Sequence, residues 1–333
     1  MKKIIALILS LSIIASCSVK IANFEKYQKA PLLELEEMPT KEDLLVKLPR
    51  VIIITEKSET DDAEQINAQK QIRNTILTEL QTKKYANIIE RFDSSAIQSE
   101  IKIAEIEGKS SHSLSSVDYI INIGAPNVTF SAKTEEDIFF VASGSGIPMN
   151  RPMIYKYSSI VDGIVKLYEV PSLKIAKIIA LNGSYHENEK ASSTGSTTIG
   201  NISINTGQAI QSKTKDTNIT YKAIQNGTKK AILEMKQFFK KKGFISEKRQ
   251  LKDEVIFSIN RGKEDDFLPQ KKVIIVREVE IHNDLTDEDE KSEETICSGT
   301  IADKAFEKTS WVIFDKKCQE KIRLGDKTII VYK

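Results

Sequence analysis

The 333 residues carry 49 basic and 47 acidic side chains, with only three cysteines and three histidines. So even a balance gives no electrostatic reason to expect nucleic acid, and the scattered His112, His186 and His282 offer no metal-ligand spacing. The length allows two domains, and no apolar run reaches the roughly 20 residues of a transmembrane helix, so any membrane crossing has to use strands.

The chain opens with Met1, Lys2 and Lys3, an apolar stretch from Ile4 to Ile14, and then Ala15, Ser16 and Cys17. A charged start, a short apolar core and small residues before the Cys make residues 1–16 a processed secretory signal. The tetrad Ile14, Ala15, Ser16, Cys17 resembles the bacterial lipobox, which implies a lipoprotein whose first mature residue is an acylated Cys17 carrying palmitate-like chains. Several chains, at about 0.8 kcal/mol per buried methylene, anchor stably in membrane lipid. Ser18 stands where an Asp would signal inner-membrane retention, so the resemblance points to the outer membrane with the body in the periplasm. Residues 17–49 are charged and proline-broken without a sustained period, and read as a lipid-anchored linker.

The body begins at Arg50. Val51 to Thr55 is a β-branched run, as in a strand buried on both faces. From Ala63 to Lys84 an apolar stripe of Ile66, Ile72, Ile76, Leu77 and Leu80 predicts a helix, with Asp61 and Asp62 placed to cap it. Tyr85 to Glu90 reads as a short strand. Ile97, Ile101 and Ala104 mark a second helix ending at Gly108, and Tyr119 to Ile123 a third strand. Long strands follow at Ile154 to Glu169 and Lys174 to Tyr185, separated by Pro171 and Ser172. A last helix, Tyr221 to Lys242, carries Ala223, Ile224, Ala231, Met235, Phe238 and Phe239 inward, with Lys240, Lys241 and Lys242 suited to its C-terminal dipole. From Lys252 onward every apolar run is short and β-branched, which predicts a small all-β unit. Its acidic run, Asp284 to Glu294, reads as a solvated loop without EF-hand spacing. Cys297 and Cys318, close in sequence in an oxidising compartment, are a candidate disulfide; two buried thiols are the alternative.

The fold class is therefore α+β: a mixed sheet flanked by amphipathic helices, residues 50–246, followed by an all-β unit, residues 250–333. The lipobox, the first strand and helix, Ile88-Ile89-Glu90-Arg91 with Ile97 and Glu100, the entry Val117 to Gly124 and the late strand pair together resemble the CsgG family of curli secretion channel lipoproteins. The segment from Ile259-Asn260-Arg261-Gly262, through Ser298-Gly299-Thr300-Ile301, to Gly325-Asp326 resembles the SH3-like C-terminal domain of the flagellar assembly protein FlgT. These resemblances imply a homo-oligomer, with no enzyme activity and no cofactor.

Channel members of that family carry two insertions that become membrane hairpins, closed into one barrel because open sheet edges are not tolerated in lipid. This chain has extra sequence at 125–159 and 187–218. In the first, Val128 and Phe130 share a face, Phe139 and Phe140 lie in a doubly apolar stretch, and Tyr155 and Tyr157 suit an interfacial girdle. Lys133 to Asp137 has to lie outside the hydrocarbon, and the second insertion is rich in Ser, Thr, Gly and Asn. Two functions follow as expectations: an oligomeric outer-membrane secretion channel or its periplasmic ring, or a poreless lipoprotein serving an unknown envelope partner, like the peptidoglycan synthase activator LpoB or FlgT. The polar residues form no nucleophile–base pair and no phosphate-cradling glycine loop.

Overall fold

The computed structural model describes residues 19–45, 47–56, 62–90, 94–107, 114, 116–136, 153–190, 196–199, 202–205, 216–283 and 288–332. They form two compact units: one joins residues up to 46 with 241–332, and the other comprises 47–240. In chain order the elements are β1 Gln28–Lys29, α1 Lys41–Leu44, β2 Arg50–Thr55, α2 Ala63–Thr82, β3 Asn87–Ile88, α3 Ser94–Glu107, β4 Tyr119–Ile123 and β5 Asn127–Glu136. They continue with β6 Met153–Glu169, β7 Lys174–Lys190, β8 Ser196–Ile199, β9 Ile202–Asn205 and α4 Thr217–Phe238. The last are β10 Lys242–Leu251, β11 Glu254–Ile259, β12 Lys272–Asn283, β13 Glu288–Ala305, β14 Ser310–Phe314 and β15 Lys327–Val331.

In the α/β unit, β3, β2 and β4 are parallel, β6 runs antiparallel to β4, and β5 and β7 flank β6 antiparallel. The β-branched run of β2 is buried on both sides because helices cover both faces. Alternate residues decide which helix each meets. Ile52, Ile54, Ile120 and Tyr168 pack with Ile97 and Ile101 of α3. On the other face lie α2, with Ile72, Ile76 and Leu80 fully buried, and α4, with Ala231 and Met235. Glu79 of α2 and Lys236 of α4 form an ion pair at 2.5 Å. Asp62 caps α2 by accepting from Glu64 N at 2.9 Å, and Asp216 does the same for α4 at Asn218 N.

The other unit is a small barrel. Strands β10, β11, β14, β13, β12 and β15 pair in that order, and β15 returns to β10 through Lys242–Phe244, so the ring closes. Closure leaves no unpaired edge in that ring. Arg277 crosses to Asp326, whose side chain is fully buried, at 2.7 and 2.8 Å; that contact holds the Arg277 guanidinium above its ordinary range.

Four expectations change here. The segment read as a linker belongs to the barrel unit: β1 pairs with Gln250 and Arg249 of β10, Glu34 bridges Leu324, and Ile21 and Tyr27 are buried with Ile256, Ala302 and Trp311. The last helix ends at Phe238, and Lys242 opens β10, paired with Ile329, so it is barrel wall and not a helix terminus. The boundary between units accordingly falls at residues 240–241. The acidic run lies largely in β13, paired from Glu288 to Glu294 with Asn283 to Arg277 of β12, because ladder bonds need no apolar side chain.

Candidate assembly surface

Among the described residues, the antiparallel ribbon β5–β6–β7 offers a long strand surface for contact. Strands β6 and β7 pair from Glu169↔Lys174 to Ile154↔Lys190, which at 17 residues each makes the ribbon about 55 Å long. Strand β5 pairs with the distal half of β6, from Asn127↔Asp162 to Glu136↔Met153. Among the described residues, the outer edges of β5 and β7 have no ladder partner. A further strand could pair along these edges, except at the Ser184 carbonyl of β7, which already accepts from Asn226 of α4.

One face of the ribbon is roofed by α4. Phe130, Tyr157 and Tyr155 line up along it, ring centroids 6.2 Å apart, and pack with Ile219. Ser159, fully buried, donates to the Thr129 carbonyl at 3.1 Å. The helix runs along β7: Asn226 Nδ2 donates to the Ser184 carbonyl at 2.9 Å, Lys222 Nζ to Tyr185 Oη at 3.0 Å, and Glu234 pairs with Lys177. Where they cross, Gly183 and Gly227 let backbone meet backbone; a Cβ on Gly183 would stand 2.5 Å from Gly227 N.

The opposite face is bare on β6 and β7. Ile160, Ile164 and Ile178 alternate there and are 42, 49 and 57% exposed, with Ile175 beside them. Farther along, the same face is polar: Ser131 and Ser158 share a hydrogen bond at 2.7 Å, next to Lys156 and Asn188. An apolar patch grading into a polar surface suits a protein partner more than hydrocarbon. The cleft at the start of α4, between Glu187, Asp216, Tyr221 and Lys222, is satisfied within itself: Tyr185 and Glu187 hold the Lys222 ammonium and raise its pKa. Likewise Arg50 grips Asp118 at 2.9 Å and lowers that carboxyl's pKa, a structural clasp between β2 and the entry to β4.

The sequence-based site residues fall in three groups. Tyr155 and Tyr157 are buried against α4, so in the described structure they are core and not an exposed girdle; Phe130 and Val128 are half-buried. Cys17, Phe139 and Phe140 lie outside the described residues. In the second insertion β8 and β9 form a hairpin from Ser196↔Asn205 to Ile199↔Ile202. Cys297 and Cys318 are joined in a disulfide with Cα atoms 5.5 Å apart, tying β13 to the turn after β14. The bare isoleucine face escaped the sequence reading, although Ile160, Ile164 and Ile178 stood in plain alternation. Periodicity reports two faces and not which of them is covered.

No family model matches the chain, and no curated protein matches it. Among solved structures, the hypothetical protein CT253 from Chlamydia trachomatis is similar at 11% identity and a TM-score of 0.23, over 42% of this chain and 73% of that one. A likeness that slight carries no argument about fold or function.

Proposed function

We propose that this chain is a lipid-anchored, non-catalytic component of a bacterial envelope assembly, with a CsgG-like α/β unit and a FlgT-like SH3-type barrel, that joins copies of itself through its ribbon and forms no pore of its own. The open edges of β5 and β7 carry the reading. Because α4 lies along β7, a two-fold β7–β7 contact would press two helices of roughly 10 Å diameter onto strands about 4.8 Å apart. Along β5 the contact with α4 is Phe130 against Ile219, while the helix follows β7 through Ser184, Tyr185 and Lys177, so β5 of one copy against β7 of the next is less crowded than β7 against β7. Both strands run antiparallel to β6, so this new ladder is parallel and the contact is head-to-tail, the kind that builds rings.

Register and charge together disfavour a pore. Glu136 pairs with Met153, and between Asp137 and Arg151 stand 13 uncharged residues. Divided between two arms they supply about six each, roughly 20 Å, where a tilted crossing takes roughly 9 to 11. The channel reading keeps one supporting fact: the strand ends Glu136, Met153 and Lys190 adjoin, so both insertions leave the ribbon at one end.

Detergent extraction, sizing and planar-bilayer recording test the proposal. The expected result is a particle of several copies of the chain that begins at Cys17, and it passes no current. A monomer overturns the self-assembly. Conductance that vanishes when residues 192–213 are deleted restores the channel.

A further inference from the structure

We propose that the barrel unit lies flush on the bilayer, with the rim around Val19, Asp303 and Phe306 as its lipid-contacting surface; this rests on Cys17 being the acylated anchor. The described residues begin at Val19, two positions after that anchor. The Val19 carbonyl accepts from Asp303 N at 3.0 Å, Ile21 N donates to Asp303 Oδ1 at 3.0 Å, and Val19 packs on the cluster of Ile21 and Trp311. Only Ser18 separates Val19 from Cys17, so the chain joining Val19 to the acylated residue can span at most about 7 Å.

A tether that short forbids the barrel from standing off the membrane, and the rim it presents is suited to headgroups. Phe306 lies three residues beyond Asp303, within about 10 Å, in the exposed turn that links β13 to β14. Phe306 is 50% exposed although the neighbouring Ala305 and Ser310 are buried. Lys263 N donates to the Phe306 carbonyl at 2.8 Å, which brings a second loop to the same rim. Lys20, Lys263 and Lys308 are exposed around it, interspersed with Glu264 and Glu307. An exposed aromatic ring among long cationic side chains is the composition that settles at a membrane interface, ring at the acyl boundary and ammonium groups among phosphates.

The test uses the full lipidated chain in phosphatidylethanolamine–phosphatidylglycerol vesicles. Trp311 is the single tryptophan, so Phe306→Trp in a Trp311→Phe background places one reporter on the rim. With lipids brominated near the headgroup its emission should fall by about half and shift to the blue. Inserting ten Gly and Ser residues between Ser18 and Val19 should leave the protein membrane-bound and abolish the quenching. Unquenched emission in the chain without the insertion overturns the proposal. Trypsin cleavage after Lys308 gives the same contrast in otherwise unmodified protein, protected without the insertion and cut with it, should the double substitution fold poorly. Mass spectrometry of the N-terminal peptide separates the two ideas: an unacylated Cys17 sinks the anchor and this inference with it, whereas an acylated Cys17 with an exposed rim sinks the flush placement alone.

Discussion

If the segment 19–39 is structural, Ile21→Ala should weaken the barrel as a core truncation does. Ile21 is 4% exposed, in a cluster with Tyr27, Ile256, Ala302 and Trp311. Removing its three outer carbons forfeits their transfer energy and leaves a void that neighbours on three different strands can only partly close. The cost is about 3 kcal/mol, inside the range for buried Ile-to-Ala changes. Trp311 reports it directly, since the indole touches Phe24 of the same segment with ring centroids 5.2 Å apart. With a urea slope of about 1.5 kcal/mol per M, the fluorescence midpoint should drop by about 2 M. Leu33→Ala is the control: Leu33 is 70% exposed, and its truncation should stay within about 0.5 kcal/mol. Equal midpoints for the two variants would refute the reasoning and return residues 19–39 to the role of a slack linker.

Three further outcomes are expected. Gly183→Ala should cost more than about 3 kcal/mol and loosen α4 from β7, seen as faster amide exchange along 217–238, because the added carbon meets backbone of Ala223 and Gly227 that cannot step aside. Asp326→Asn should lower barrel stability by about 3 to 5 kcal/mol by stranding the Arg277 charge, and Arg277→Met with Asp326→Leu should recover most of it in a thermal melt. The Tyr27 hydroxyl donates to Glu254, and burial first, then that carboxylate, pushes its pKa up to about 12. A folded-state value above the unfolded one gives stability that is whole below pH 10 and fades as pH climbs towards 12. Unfolding free energies from urea titrations at pH 9 and 11.5 should therefore differ by about 2 kcal/mol more in the natural protein than in Tyr27→Phe.

What could be read without coordinates was whatever a local pattern dictates. The β-branched runs of β2 and β4 and the 3.6-residue stripes of α2 and α4 mark elements buried by near neighbours, and each lies within a few residues of where the pattern puts it. The segment 19–39 had no such mark. Its inward residues, Ile21, Phe24 and Tyr27, recur every third position over only seven residues, too short a stretch to mark a helix or strand, and their partners Ile256, Ala302 and Trp311 stand more than two hundred residues away. The arm of β12 and β13 beyond Val276 is unreadable for the opposite reason. A two-stranded ribbon exposed on both faces asks nothing apolar of its sequence, so Glu278↔Glu293 and His282↔Asp289 look like loop and pair like sheet.

The tyrosines of β6 show how far alternation can go. Tyr155 and Tyr157 with polar residues between them satisfy a membrane girdle and a helix-covered sheet equally, because both environments want one apolar face and leave the other free. In the described residues, 127–136 and 153–162 form a ladder in which Phe130, Tyr155 and Tyr157 pack with Ile219 of α4; on the proposal above, the uncharged residues left between the flanking charges are too few to cross. A longer uncharged stretch between Asp137 and Arg151 would reverse that conclusion with every tyrosine still in its place. Counting what remains beyond the pairing is therefore a sharper discriminant for such insertions than the alternation itself.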